Sequence, residues 1–196
     1  MTEKKFKIVL IGPPYSGKTS IAQCYINQKF EYTIPTTSAA YFTKQLKINE
    51  TTYTFNLWDT AGQEKFRSVA SMYYRNANVF IIVVDPHDVQ SYSQIDDWFS
   101  LINKYCDFGA YQCILAINKM DIEISNSTYD LFKDKAQQKK CQLIMCSAKA
   151  NKGIEELFYE ALQIAVNHDA KNVSLHSPNV QYIDKEILQK KDKQCC

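Results

Sequence analysis

The 196-residue chain is 45% apolar and 22% charged, a globular composition that excludes collagen-like, mucin-like and wholly disordered classes. Its 23 basic and 21 acidic groups leave a net charge of +2, too even a balance for a general nucleic-acid binder. The longest apolar run, Val79 to Val84, is far short of the ~20 residues of a membrane-spanning helix, and the stretch from Lys4 to Gly12 is too short for a signal peptide.

Taken in chain order, Lys5 to Ile11 predicts a first strand, followed by a glycine-containing turn and a helix from about Lys18 to Gln28. Tyr41 to Ile48 and Tyr53 to Trp58 alternate apolar with polar residues around Asn49-Glu50-Thr51-Thr52 and predict a hairpin. Val79 to Asp85, Cys113 to Asn118 and the shorter Leu143 to Cys146 are continuous apolar runs, as expected of strands buried on both faces of a parallel sheet. Helical patterns fill the gaps at Tyr92 to Tyr105, Thr128 to Lys140 and Ile154 to Val166. The alternation implies an α/β fold: a six-stranded, mostly parallel sheet with helices on both faces and one antiparallel edge strand. Residues 1–167 form the expected domain. From 168 to 196 the pattern fails and a flexible tail is expected. In a cytosolic chain thiols stay reduced, so Cys24, Cys106, Cys113, Cys141 and Cys146 read as small buried apolar groups. The absence of a CxxC pair argues against zinc.

Four motifs carry chemistry. Gly12-Pro13-Pro14-Tyr15-Ser16-Gly17-Lys18-Thr19 matches G-x-x-x-x-G-K-[ST] between a strand and a helix. Backbone N–H groups there face a phosphate. Lys18 sets a cation on the β- and γ-phosphates, and the Thr19 hydroxyl can ligate Mg²⁺. In Trp58-Asp59-Thr60-Ala61-Gly62-Gln63-Glu64, Asp59 ends an apolar strand beside that loop and can hold the Mg²⁺ shell. Gly62 offers an unhindered N–H, and Gln63 can orient an attacking water. In Asn118-Lys119-Met120-Asp121, one carboxylate can accept the adjacent N1–H and N2–H₂ donors of guanine, so Asp121 would select guanine over adenine. The Lys119 stem can lie along the ring. Ser147-Ala148-Lys149 follows the last strand, where a backbone N–H can meet the guanine carbonyl. The motifs occupy successive strand ends of one sheet, which makes them a joint signal.

With these residues the sequence resembles the P-loop small GTPases of the Ras superfamily over about Lys5 to Val166. Within it the sequence is most similar to the Rab branch, through Trp58, Glu64-Lys65-Phe66-Arg67-Ser68, Met72-Tyr73-Tyr74-Arg75-Asn76-Ala77 and the final Cys195-Cys196. Ala39-Ala40 and Ala70-Ser71-Met72-Tyr73-Tyr74 resemble the endosomal Rab subgroup. The resemblance implies a switch that binds GTP or GDP with Mg²⁺ and hydrolyses GTP in vesicular traffic. Gly12 through Ser20 (Gly12, Pro13, Pro14, Tyr15, Ser16, Gly17, Lys18, Thr19, Ser20) and Gly62 would contact phosphate. Thr19 and Asp59 would bind the metal, and Gln63 would be catalytic. Phe30, Asn118, Lys119, Asp121, Ser147, Ala148 and Lys149 would hold guanine. The third metal residue is Thr37 when counted forward from Thr19. It is Thr36 when counted back from Asp59 and from Pro35; one residue has been lost, and Thr36 is preferred.

The resemblance further implies a monomer that meets effectors, an exchange factor and an activating protein through its switch regions, with no nucleic-acid partner. Tyr41, Phe42, Trp58, Phe66 and Tyr73 are the apolar candidates for the effector surface. Cys195 and Cys196 would be prenylated, engaging prenylation and membrane-extraction machinery. They would hold the protein on the cytosolic face of intracellular, endosomal membranes, since two lipid chains anchor stably where one is marginal. Some residues depart from the pattern. Pro13, Pro14 and Tyr15 replace small residues, and each proline removes an N–H donor. Ser38 replaces a glycine, and Asp85-Pro86-His87 is unusual. Arg67 and Arg75 are the only arginines, and neither precedes Asp59. Slow intrinsic hydrolysis is therefore expected, with the missing cation supplied in trans. A metabolic P-loop enzyme would need an acceptor pocket or lid, and no insertion provides one. A nucleotide-bound scaffold with little hydrolysis is the alternative that the divergent loop suggests.

Overall fold

A computed structural model of the chain describes residues 2–33, 36, 39–61, 70–107, 110–169 and 181–183. Strands and helices alternate: β1 (Thr2–Ile11), α1 (Lys18–Asn27), β2 (Ala40–Ile48), β3 (Thr51–Asp59), α2 (Ala70–Tyr74), β4 (Val79–Val84), α3 (Val89–Ser93), α4 (Ile95–Tyr105), β5 (Gln112–Ile117), α5 (Asn126–Gln138), β6 (Gln142–Met145), α6 (Ile154–Asp169) and β7 (Gln181–Ile183). The sheet order is β6-β5-β4-β1-β3-β2-β7. β1 pairs in parallel with both β3 and β4, and β5 and β6 continue that side in parallel. β2 is antiparallel to β3 from Ala40↔Asp59 to Ile48↔Thr51, the hairpin expected around residues 49–52.

Side chains alternate across a strand, and this sheet uses both faces. Ile8 and Leu10 of β1 join Ile81 and Val83 of β4 in one core cluster, together with Ile21 and Tyr25 of α1 and Leu157, Phe158 and Leu162 of α6. Val9 and Ile11 join Phe80 and Ile82 in the other, beneath Trp98 and Ile102 of α4 and Phe132 of α5. All six residues of β4 are buried, as its unbroken apolar run requires of a central parallel strand.

The six expected strands are present, and the structure differs from the sequence reading in four places. The single helix expected over Tyr92 to Tyr105 is two. Asp88 caps the N-terminus of α3 by accepting from the Gln90 N–H, and Gln94 (φ −82, ψ −4) separates α3 from α4. The Ser91 hydroxyl accepts from the Asp85 N–H at 2.9 Å and so draws α3 against the end of β4. The short α2, whose Tyr74 is buried against Phe80, has too few residues for a periodic pattern. α6 runs past 167 to Asp169, and β7, inside the stretch read as a tail, lies antiparallel on β2 from Gln45↔Ile183 to Lys47↔Gln181. Of the five described cysteines, Cys24 and Cys146 are buried, whereas Cys106, Cys113 and Cys141 are only half-buried; all five are free thiols.

Candidate nucleotide site

In this strand order β1 lies between β3 and β4, so the chain leaves its C-terminal end where the sheet connections diverge to opposite sides, the position at which open α/β sheets bind ligands. The loop leaving Ile11 is locked by two glycines. A Cβ on Gly12 (φ +138) would stand 2.2 Å from the Val83 carbonyl oxygen, and one on Gly17 (φ +93) would stand 2.2 Å from Asn118 Nδ2. Lys18, only 5% exposed, donates to the carbonyls of Gly12 at 2.9 Å and Pro13 at 2.8 Å. Ser16 Oγ donates to the Pro13 carbonyl as well. Pro13 lacks an N–H, but the fold uses its carbonyl. Burial pushes the Lys18 ammonium down to about 8, against the pull of Asp59.

Thr19 at the start of α1 donates to Asp59 Oδ2 at 2.6 Å, and its hydroxyl also meets Thr36 Oγ1 at 2.6 Å. Asp59 is fully buried, and its Oδ1 has no hydrogen-bond partner. Burial raises its carboxyl to about 6, opposed by the Thr19 hydrogen bond and by Lys18. A buried carboxylate with a free oxygen, next to two hydroxyls, is the oxygen-only donor set that a hard divalent cation takes. Mg²⁺ therefore fits these residues. Thr36 Oγ1 thus stands in this cluster; Thr37 lies outside the described residues, as do Gly62, Gln63 and Phe66.

Asn118, at the end of β5, joins the loops. Its Nδ2 donates to the Ser16 carbonyl at 2.9 Å, and its Oδ1 accepts from the Ala148 N–H at 3.1 Å. Asp121 accepts from Ser147 Oγ at 2.6 Å, and Lys149 Nζ approaches its other oxygen at 3.6 Å. Chiefly through the Ser147 bond, the Asp121 carboxyl is held below the usual carboxylate range, so it is an ionised acceptor at neutral pH. The Lys119 stem lines the cavity, and its ammonium pairs with Asp85 at 2.6 Å.

These side chains enclose a cavity of about 470 Å³ that runs from Pro14, Tyr15, Lys18 and Thr19 at one end to Phe30, Asn118, Asp121, Ala148 and Lys149 at the other. Ser20 lines it, whereas Gly12, Pro13, Ser16, Asp59 and Ser147 are absent from its wall and hold lining residues or loop carbonyls from behind. Tyr32, Thr33 and Ile122 also line it and were not singled out in the sequence. Thr60, inside the Asp59 motif, lines it too and donates to the Leu10 carbonyl at 2.7 Å. Ile122, directly after Asp121, carries the one local hint, an apolar side chain that stays 51% exposed. Two cavity-lining residues, Tyr15 (φ 63) and Lys119 (φ 62), adopt left-handed conformations that strain non-glycine residues.

Beside the cavity, Trp58 contacts Tyr41 (ring centroids 5.0 Å apart) and Tyr73 (5.4 Å), while Lys7 Nζ lies 5.2 Å from its ring. Phe42 packs on the opposite core cluster and takes no part in this aromatic group.

A phosphate-binding loop, a carboxylate–hydroxyl cluster and an Asn-Lys-x-Asp strand end, at one edge of a mostly parallel sheet, define a P-loop guanine-nucleotide-binding protein. The sequence profile of the Ras family matches residues 7–167. The chain is 35% identical to Ras-related protein Rab-17 of Mus musculus over 80% of this chain and 74% of that protein. It is 32% identical to Rab-21 of Mus musculus over 97% and 91% of the two chains, and 31% identical to RabC of Dictyostelium discoideum over 97% of each. The chain belongs to the Ras family, in its Rab branch. It is a Rab-type GTPase, a GTP-binding and GTP-hydrolysing switch of membrane traffic.

Proposed function

We propose that the 470 Å³ cavity holds GTP or GDP with its phosphates on Gly12–Ser20 and its base between Phe30 and the Asn118–Asp121 and Ser147–Lys149 segments. The observation that carries this is the convergence of Thr19, Thr36 and the buried Asp59 from three elements, with Asp59 Oδ1 unpartnered. Those three residues would hold Mg²⁺, which neutralises phosphate charge when bound. Gly62 would donate its N–H to the γ-phosphate, and Gln63 would orient the attacking water. A γ-phosphate tethers both switch segments, and hydrolysis frees them. Intrinsic turnover is slow, and an activating protein supplies a cation in trans; unaided single turnover at about 1 s⁻¹ would sink this part.

Effectors would read Tyr41, Trp58 and Tyr73, an aromatic group touching both switches. Residues 1–167 would act as the switch, and the chain beyond them as a tether that is held to the sheet edge at β7 and lipidated at Cys195 and Cys196, seating the protein on the cytosolic face of endosomal membranes. Among the described residues no helix is long and apolar enough to cross a membrane. Intact mass of protein from its own cell tests the tether: prenyl mass on the terminal cysteines is expected, and its absence rejects the anchor. The site itself is tested by releasing the nucleotide from freshly purified protein with heat and resolving it by ion exchange. One GDP or GTP per chain is expected. Adenine nucleotide, or none after loading with GTP and Mg²⁺, overturns the assignment.

A further inference from the structure

The segment that carries Phe30 and Thr36 leaves α1 at Gln28 and re-enters the fold in β2. Gln28 ends α1 in the left-handed region (φ 56, ψ 21), a cap position that glycine usually takes and that strains other residues. Two side-chain bonds support it there: Gln28 Nε2 donates to the Tyr25 carbonyl at 3.2 Å and to Glu155 Oε1 of α6. From β2, Lys44 reaches the same two partners. Its Nζ donates to the Tyr25 carbonyl at 2.7 Å, lies 3.9 Å from the Tyr25 ring centroid, and stands 3.8 Å from Glu155 Oε1. Both ends of the segment thus converge on one carboxylate oxygen. The clamp also reaches the base-binding loop, because Asn151 Nδ2 lies 3.5 Å from the Gln28 carbonyl.

We propose that Glu155 is a positioning residue for nucleotide retention: by holding Gln28 and Lys44 it fixes the hinge from which Phe30 reaches the cavity. Glu155 does not itself line the cavity, so its effect on nucleotide would be exerted through the residues it holds. The pair is shielded on one side, the Lys44 side chain being 12% exposed and that of Glu155 39%. A charge-assisted contact of this partly exposed kind, once lost, corresponds to a change of about fivefold in a rate limited by the hinge. The inference rests on the cavity holding guanine nucleotide.

The test is release of a fluorescent GDP from the full chain in excess Mg²⁺. Glu155→Ala and Gln28→Ala are each expected to speed release about fivefold, and the double variant no more than the faster single. Glu155→Gln keeps an acceptor for Gln28 but loses the charge facing Lys44; it is expected to fall between wild type and alanine, and it carries the test if the alanine variant does not fold. Asp96→Asn breaks surface ion pairs on the far side of the sheet and is expected to leave release unchanged. Wild-type release in the Glu155 variants, or single effects that multiply in the double, overturns the clamp. An Asp96→Asn protein that releases GDP as fast as Glu155→Ala overturns it too, since general loosening would then suffice. Failure of the wild-type protein to bind GDP at all instead rejects the guanine site.

Discussion

At the scale of single residues, the site depends on two kinds of exactness. Gly17 has neither the backbone angle nor the space for a side chain, its Cβ position lying 2.2 Å from Asn118 Nδ2. Gly17→Ala forces the left-handed strain and breaks the Asn118 bond to Ser16 together, at a cost of about 3 kcal/mol. Thermal unfolding should show that loss, and nucleotide binding should be lost with it. Asp121 differs, because its contacts are with Ser147 and Lys149 at the rim. Asp121→Ala is expected to weaken GDP binding by at least about tenfold, the value of hydrogen bonds to a charged acceptor, measured by calorimetric titration, while the unfolding midpoint of nucleotide-free protein moves little. Gln63→Leu should retain nucleotide and lose most hydrolysis, because leucine cannot orient a water. Single-turnover phosphate release checks it, and equal rates would point to a scaffold.

Between elements, apolar packing and ion pairs contribute unequally. α1 meets α6 through the stacked rings of Tyr25 and Phe158, with centroids 3.8 Å apart, whereas α4 is tied to α5 by Asp96 with Lys135 at 2.9 Å and Lys139 at 2.6 Å. Asp96 is 53% exposed, so water screens the pairs and Asp96→Asn should cost less than about 1 kcal/mol. The two lysine hydrogen bonds lower the Asp96 carboxyl below its ordinary value of 3.8. A lowered acid stabilises the fold above its unfolded value, and that share is lost as the pH falls through the folded one. The gap between wild type and Asp96→Asn, read by denaturant unfolding, is therefore expected at neutral pH and should close below 3.8.

Across the whole molecule, the sheet carries stability and the ligand adds to it. Ile82 sits at the centre of β4 with no exposure, so Ile82→Ala should cost about 2–5 kcal/mol in denaturant unfolding, by the same amount with or without nucleotide. Bound GDP at a thousand times its dissociation constant adds about 4 kcal/mol. Stripping nucleotide with a chelator should then lower the unfolding midpoint by about 10 °C.

Much of this was legible in the linear chain. The apolar runs of β4 and β5, the hairpin alternation and the four motifs depend on side-chain chemistry and short-range spacing, which a sequence carries directly. These sufficed for the α/β class and the family, and they carry the proposals for the phosphate loop and for guanine. What needed the tertiary structure depends on residues far apart in the chain. The meeting of Thr36 with Thr19 and Asp59, the pairing of Lys119 with Asp85, the opposite facing of Phe42 and Trp58, and the shared hold of Gln28 and Lys44 on Glu155 are set by sheet order and register. Strand order decides which distant loops share an edge, and which helices cover each side of the sheet decides what layer each alternating face of a strand meets. The alternation is local, but neither of these is encoded in any local window of residues.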